Sequence, residues 1–250
     1  MANNDFIIAQ GIPQRDLPVP VIGTLPTPVR ASRYGESLVQ LIGGGMQPFA
    51  DEGSYFVATN PTFLTAVSGT ATPTAFSATV GLLTIYNQLT ATSSPSKRIY
   101  PAWIQLEVRT VGTAGTSVNY ALSVDGGNRF SSGGSPLSPV NPNMDSAATS
   151  IAALNFGALT TAAATNASRR VKHGRIRPAI MVTGDIYLFT FGQAVAPHPG
   201  AELSGTNAQM IPVHCPPVCL GPNQSLILHE IQPSQSAAAT YEVSMGWWER

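Results

Sequence analysis

Charged residues are scarce in this chain. Asp, Glu, Lys and Arg together make up 10% of its 250 residues, with 13 basic and 13 acidic side chains and a formal net charge of zero. Soluble domains usually carry about 25% charged residues. A dedicated nucleic-acid-binding protein needs many cationic contacts to phosphates, so we expect no nucleic acid as a partner. A protein surface with so few charges is suited to packing against neighbouring subunits. A lightly charged soluble sandwich has the same composition.

Cysteines and long apolar runs are scarce as well. Two cysteines do not make a disulfide framework. No stretch reaches the roughly 18 consecutive apolar residues of a membrane span. The start of the chain, MANNDFIIAQ, lacks the basic residues and the long apolar block of a secretory signal. We therefore expect synthesis in the cytoplasm and no membrane partner.

Catalytic motifs are missing too. The sequence has no G-x-S-x-G turn to lift a nucleophilic serine and no G-x-x-x-x-G-K-[ST] loop to hold phosphates. Its acidic residues are scattered, and no pair suggests the two facing carboxylates of a glycosidase. We predict that the protein is not an enzyme and has no catalytic residues and no cofactor. If the protein were an enzyme, a polysaccharide-degrading enzyme would be the class most compatible with the sequence.

What the sequence does contain is strict alternation of apolar and polar residues. Residues 104–109 alternate in this way, Gly112–Thr116 has the composition of a turn, and residues 118–125 resume the alternation. A period of two is typical of strands with one buried face, so we predict a long antiparallel hairpin here. Further strands are predicted at 55–58, 78–87, 170–177, 179–182, 185–191, 209–214, 225–231 and 240–248, with 78–87 as an inner strand because both of its faces are apolar.

Two stretches between these strands are less regular. Residues 131–145 (SSGGSPLSPVNPNMD) consist mainly of turn formers and predict a long loop. Residues 146–168 contain alanines that favour helix, but their threonines and Gly157 favour extended structure. We predict a strand near 151–156 followed by a loop.

The fold class that follows is all-β. Eight to ten strands with regular turn signals, without a helix or an internal repeat, indicate an antiparallel β-sandwich, most typically a jelly roll. We assign this sandwich to residues 51–250 and an extended N-terminal arm to residues 1–50.

Proline dominates the arm and defines its predicted role. Such a density of proline favours extended backbone, and short apolar bursts interrupt it, so we expect residues 1–35 to lie along their own domain or a neighbouring subunit. A partly disordered tail is the alternative. The arm residues predicted to bind a partner are Pro13, Pro18, Pro20, Val21, Ile22 and Pro26.

One cluster has the chemistry of metal ligands. His214, Cys215 and Cys219 lie within six residues, and zinc prefers four nitrogen or sulfur ligands. A fourth ligand from His229, His173 or His198 would be needed. We favour cysteines that are buried as small apolar residues or packed within the loop, and a metal site or a disulfide remains open. No metal ligand is therefore predicted.

A basic segment and a tryptophan pair are the remaining candidates for partner contacts. Arg170, Lys172 and Arg175 lie in a run of five cations, and alternation places Arg170 and Lys172 on one strand face. The run fits an acidic partner, a solvated strand face, or ion pairs with Glu107, Asp125 and Asp145. The last strand places Trp247 and Trp248 on opposite faces, so Trp248 is either an anchor at a subunit contact or covered by the chain's own loops.

Four stretches carry a resemblance to known proteins. They are TVGLLTIYN, KRIYPAWIQLEVRTVGTAGTS, DGGNRFSSGGSPLSPVNPNMDS and GPNQSLILHEIQPSQSAAATYEVSMGWWER. Over roughly residues 70–250 the chain resembles virion structural proteins of tailed bacteriophages and is similar to jelly-roll capsid decoration (cement) proteins. The resemblance implies a non-enzymatic virion component, a homotrimer that stabilises the phage head by binding the major capsid protein or other virion proteins.

A second class of function is compatible with the same fold. Sandwiches of this kind also serve as lectins, so the alternative is a receptor- or glycan-binding module of a phage tail fibre or spike. A shallow groove with exposed aromatic side chains would favour this alternative. Aromatic side chains buried at a subunit contact would favour decoration.

Overall fold

The alternating stretches of the sequence form strands in the computed structural model, which describes residues 47–69, 75–90, 92, 97–112, 118–164, 168–177, 181–192, 207–232 and 237–250. A single short helix, α1 (Gln47–Asp51), is found among these residues. The strands are β1 (Tyr55–Thr59), β2 (Val67–Ser68), β3 (Val80–Asn87), β4 (Ile99–Thr110), β5 (Val118–Asp125), β6 (Phe130–Leu137), β7 (Ala152–Thr161), β8 (Arg169–Arg177), β9 (Ile186–Phe191), β10 (Met210–Cys215), β11 (Ser225–Ile231) and β12 (Thr240–Glu249).

These strands form two sheets that pack face to face. The first sheet has the order β1-β12-β4-β9-β10, with β2 also paired to β12. The second sheet has the order β6-β7-β3-β11-β5-β8. Among the described strands only β9 and β10 run parallel, and the other pairs are antiparallel. The predicted all-β antiparallel sandwich is confirmed, and so is the inner position of β3 between β7 and β11.

Alternation along β4 and β12 builds one side of the core. Ile104, Leu106 and Val108 of β4 are buried and alternate with half-buried Gln105 and Glu107. The same pattern on β12 buries the side chains of Tyr241, Val243, Met245 and Trp247 against the second sheet, whose Leu122, Leu226 and Leu228 belong to the same core cluster. Each such side chain contributes roughly 1.5–3 kcal/mol by leaving water.

The predicted hairpin of residues 104–125 is wrong. β4 pairs with β12 and β9 in the first sheet, whereas β5 pairs with β11 and β8 in the second. The alternation of each strand was read correctly, because each strand buries one face in the shared core. Alternation does not show which strand lies beside it in the sheet. Here β4 belongs to the first sheet and β5 to the second, so the two do not form a hairpin.

Three further predictions of local structure need correction. Residues 131–145 are not all loop, since Phe130–Leu137 forms β6 in spite of its glycines and Pro136. The strand predicted at 151–156 extends over Ala152–Thr161 as β7. Of the strand predicted at 179–182, Met181 and Val182 are described and lie outside any strand.

The N-terminal arm is described only at its end. Residues 1–46 lie outside the described residues, and with them the predicted arm contacts. Residues 47–50, assigned to the arm, belong instead to α1, in whose first turn Pro48 is tolerated because its missing N–H has no intrahelical partner there. In the described part of the chain, no helix has the length and apolar character needed to cross a membrane.

Candidate functional site

A groove on the outer face of the first sheet has the geometry of a binding site. It encloses about 270 Å³ between β4, β12 and the loop that follows β1. The residues that line it include Phe63, Leu64, Gln105, Glu107, Glu242 and Ser244. The polar members lie on β4 and β12 at the positions that alternate with the buried ones, so they point away from the core.

Two carboxylates face each other at one end of this groove. Glu107 and Glu242 are directly paired across β4 and β12, an arrangement in which like charges repel. Arg109 relieves the repulsion, since its Nη1 donates to Oε1 of Glu107 at 2.6 Å and its Nε lies 3.5 Å from Oε1 of Glu242. Oε1 of Glu242 is shielded from solvent and makes no hydrogen bond. The pair therefore leaves an acceptor beside the groove that is not fully satisfied.

The loop after β1 forms an apolar wall of the groove. Phe63 is 86% exposed and Leu64 is 61% exposed. Asn60 ties the loop to the sheet, because its Nδ2 donates to the carbonyl oxygen of Thr65 at 3.0 Å and its Oδ1 accepts from the backbone N–H of Val243 at 2.9 Å. Leu64 has a φ of 59°, a left-handed conformation that is costly for a branched side chain and is concentrated at functional sites.

Sequence reasoning missed this groove. Glu107 and Glu242 are distant in the chain and become neighbours only through the β4–β12 pairing, which alternation alone does not reveal. No pair of acidic residues stands out in the sequence for this reason, although the fold brings these two together. Phe63 lies between predicted strands and stands in no motif, so only its exposure in the folded chain draws attention to it.

The two tryptophans are both covered within the chain, to different extents. Trp247 is fully buried in the core, and its Nε1 donates to Oε1 of Glu249 at 3.0 Å. Trp248 is half-buried and stacks between Phe49 and Tyr100, with ring centroids 4.5 and 3.8 Å apart. The chain itself thus supplies the cover of Trp248, and its role at a subunit contact stays a prediction.

The basic segment forms β8, at an edge of the second sheet. Arg170 pairs with Ser123 and Lys172 pairs with Leu122, with a register shift between the two pairs. Because Ser123 and Leu122 point to opposite faces of β5, Arg170 and Lys172 do not share a face, and the predicted arrangement is wrong. Simple alternation fails here because a β-bulge inserts one residue into the strand.

Three cations of β8, Arg170, Lys172 and Arg175, form no ion pair with the carboxylates considered as their partners. Glu107 pairs with Arg109, and Asp125 lies 3.7 Å from Arg129. Among the described residues, no ion pair involves Arg170, Lys172 or Arg175. The guanidinium of Arg170 instead lies 4.2 Å from the ring centroid of Phe76, a cation–π contact. Arg170 and Arg175 are exposed at this edge and Lys172 is half-buried, and their contact with an acidic partner stays a prediction.

The histidine–cysteine cluster is separated by the fold. Cys215 is buried in the core, which confirms the reading favoured from the sequence, and burial raises the pKa of its thiol to about 12. Cys219 is exposed, with Nη1 of Arg98 at 3.8 Å from its sulfur, and both cysteines are free. Nδ1 of His214 is 3.2 Å from the hydroxyl of Thr190. No group of three or more His, Cys, Asp or Glu side chains suited to a metal ion occurs in the described ranges.

Two neighbouring titratable residues of β11 face opposite sides of the second sheet. Glu230 reaches across the sandwich, where Tyr241 and Gln232 donate hydrogen bonds to its Oε1. Burial raises the pKa of Glu230 to about 7, although these two hydrogen bonds lower it. His229 is buried on the outer face between the carbonyl oxygen of Val80 and the hydroxyl of Ser123, and burial lowers its pKa to about 4.

Comparison with known proteins adds no relative to this description. No family model matches the chain, and neither curated proteins nor solved structures provide a match. What the fold and the groove define is the class of antiparallel β-sandwich proteins with an open, mixed polar and apolar surface site.

Proposed function

We propose that the sandwich is a jelly roll and that the protein is a structural component of a tailed-bacteriophage virion. One observation carries the proposal. In chain order, the eight strands β1, β3, β4, β5, β8, β9, β11 and β12 pair antiparallel from the outside inwards: β1 with β12, β3 with β11, β4 with β9 and β5 with β8. Such pairing is that of one long hairpin rolled into two sheets, the topology of viral shell domains.

The role that we propose is capsid decoration without enzymatic activity. A homotrimer binds over the major capsid protein or another virion protein and so resides in the virion. The resemblance of residues 70–250 to decoration proteins and the low charge of the chain support this role.

The proposed mechanism is association alone. Met144, Met210 and Val140 are 91%, 62% and 54% exposed and supply apolar surface for contacts. Burial of such surface contributes about 25 cal/mol per Å², repeated over the many copies of a particle. Arg170, Lys172 and Arg175 of β8 and the proline-rich arm supply the remaining contacts, to an acidic surface and to a neighbouring subunit.

Deletion of residues 1–35 tests the proposed role of the arm. We expect the truncated protein to keep the circular dichroism spectrum and the cooperative unfolding of a folded sandwich. In co-sedimentation with phage heads stripped of this protein, it should no longer bind. Full decoration of the heads by the truncated protein would contradict the proposal.

The second candidate function is the receptor- or glycan-binding module of a tail fibre or spike. The groove favours it, because Phe63 is an aromatic side chain exposed beside hydrogen-bonding groups on a sheet face. Lectin domains also have the jelly-roll fold. Imaging of an intact particle separates the candidates, since a copy at the tail tip supports the second and a copy over the capsid lattice supports the first.

A further inference from the structure

We propose that the groove beside Phe63 and the Glu107–Glu242 pair binds a neutral or amino sugar. This inference deepens the second candidate function, to which it gives a site and a class of ligand. It rests on the geometry of the groove and holds whether or not the protein decorates a capsid.

The size of the groove suits a single sugar ring. Pockets for small ligands usually enclose about 300–1,000 Å³, and the groove, at about 270 Å³, lies just below that range. An open groove on a sheet face also allows a chain of sugars to continue beyond the ring that is bound.

The apolar wall suits the carbon–hydrogen face of a pyranose. Phe63 presents its ring to solvent with 86% exposure, and Leu64 lies beside it. Since Asn60 anchors the loop by two hydrogen bonds, binding does not have to order the loop first. A preformed wall of this kind lowers the entropic cost of binding.

The polar side of the groove suits hydroxyl groups, which both donate and accept hydrogen bonds. Carboxylate oxygens of Glu107 and Glu242 accept, the hydroxyl of Ser244 does either, and the amide of Gln105 offers both kinds of group. A sugar hydroxyl donates to the part of the Glu242 carboxylate that lines the groove, since Oε1 itself is shielded from solvent.

Charge decides between classes of sugar. Two carboxylates against the single guanidinium of Arg109 leave one negative charge uncompensated. Uronates, sialates and sugar phosphates are therefore disfavoured, whereas neutral sugars and protonated amino sugars are accepted.

Saturation-transfer NMR on the full chain tests the site. The probes are methyl β-D-glucopyranoside, methyl β-D-galactopyranoside, glucosamine and glucuronate. We expect transfer to at least one of the first three and none to glucuronate. Phe63→Ala and Glu242→Gln should each weaken binding at least tenfold, whereas Val111→Ala, which truncates an exposed apolar residue outside the groove, should leave it unchanged.

Three results would overturn the site: no transfer from any of the first three probes, transfer to glucuronate alone, or binding that survives Phe63→Ala. A change of oligomeric state caused by Phe63→Ala would also overturn it, because the groove would then be a contact between copies. Sugar binding by a protein that never associates with particles would instead refute capsid decoration and leave the site intact.

Discussion

His229 and Glu230 are adjacent residues whose pKa values move in opposite directions. Burial lowers the pKa of His229 from 6.5 to about 4 and raises that of Glu230 from 4.5 to about 7. Each residue is neutral in the folded protein at a pH where it is charged in the unfolded chain. Stability therefore changes with pH in opposite directions for the two residues, because neutral His229 has lost a proton whereas neutral Glu230 has kept one.

The direction of each effect follows from proton counting. Between about pH 4.5 and 7 the folded protein holds the proton of Glu230 more tightly, so its stabilising contribution is full below 4.5 and is lost as the pH rises through 7. Between about pH 4 and 6.5 the unfolded chain binds the His229 proton more tightly, so stability is lost as the pH falls from 6.5 to 4. Over the shared range the two contributions offset each other.

Glu230→Gln separates the two contributions. The free energy of unfolding of the wild-type protein minus that of the variant should fall by about 3 kcal/mol between pH 4.5 and 7, since only the wild type has the carboxyl. Urea unfolding followed by tryptophan fluorescence across this pH range measures the difference. A difference that stays level with pH would refute the desolvated environment of this carboxyl beside Tyr241.

Strand β12 shows how one element organises the first sheet. It pairs with β1 on one side and with β4 on the other, and its register shifts between Gly246 and Trp247. Gly246 leaves room on the outer face for Tyr55 and Trp103, where Nε1 of Trp103 donates to the hydroxyl of Tyr55 at 2.8 Å. A Cβ on Gly246 would collide with both side chains.

Gly246→Ala should therefore destabilise the protein by about 2 kcal/mol, because the two rings must move and lose their hydrogen bond. Gly127→Ala is the matched control. Its added Cβ would meet only Oδ1 of Asp125 at 3.9 Å, so its effect should stay within about 0.5 kcal/mol. Urea unfolding of both variants measures the difference, and equal stabilities would show that the packing around Gly246 has no such role.

The strands themselves could be predicted from the sequence, but their partners could not. A buried strand face can be recognised from the sequence because each buried position requires an apolar residue whatever the neighbouring strand is. On β12 these residues are Tyr241, Val243, Met245 and Trp247. Pairing depends on contacts between distant residues, so the crossing from β4 to β5 escaped prediction. The bulge in β8 could not be predicted either, because an inserted residue has no signature in the composition. It nevertheless changes the sheet face to which the side chains after it point.

The sequence predicts the type of site that would favour glycan binding, but not the residues that form it. The sequence indicates that an exposed aromatic groove would favour glycan binding, with Trp247 or Trp248 as the stacking residue, but Trp247 is buried in the core and Trp248 stacks on Phe49 and Tyr100. Phe63 fills the aromatic role instead, because its loop is fixed by Asn60 rather than folded over the sheet. A buried acid such as Glu230 gives no sequence signal apart from its place in an apolar strand.

At the scale of the whole molecule, the edge strands of the two described sheets each carry a feature that hinders pairing with a further strand. β1 is short, and Val57 makes a bridge to Val140. Pro212 lies within β10 and cannot donate a backbone hydrogen bond, β6 combines two register shifts with Pro136, and β8 carries its cations. Such features hinder edge-to-edge pairing. Subunit contacts should therefore use faces and loops, with different patches meeting around a three-fold axis.

Native mass spectrometry of the full-length protein tests the central claim, that this chain is a subunit built to associate. At micromolar concentration and physiological salt we expect a species of three times the 26.2 kDa chain mass, and it should dissociate when apolar contacts are weakened by mild denaturant before the sandwich unfolds. A spectrum that contains only the monomer over the whole concentration range would contradict the account.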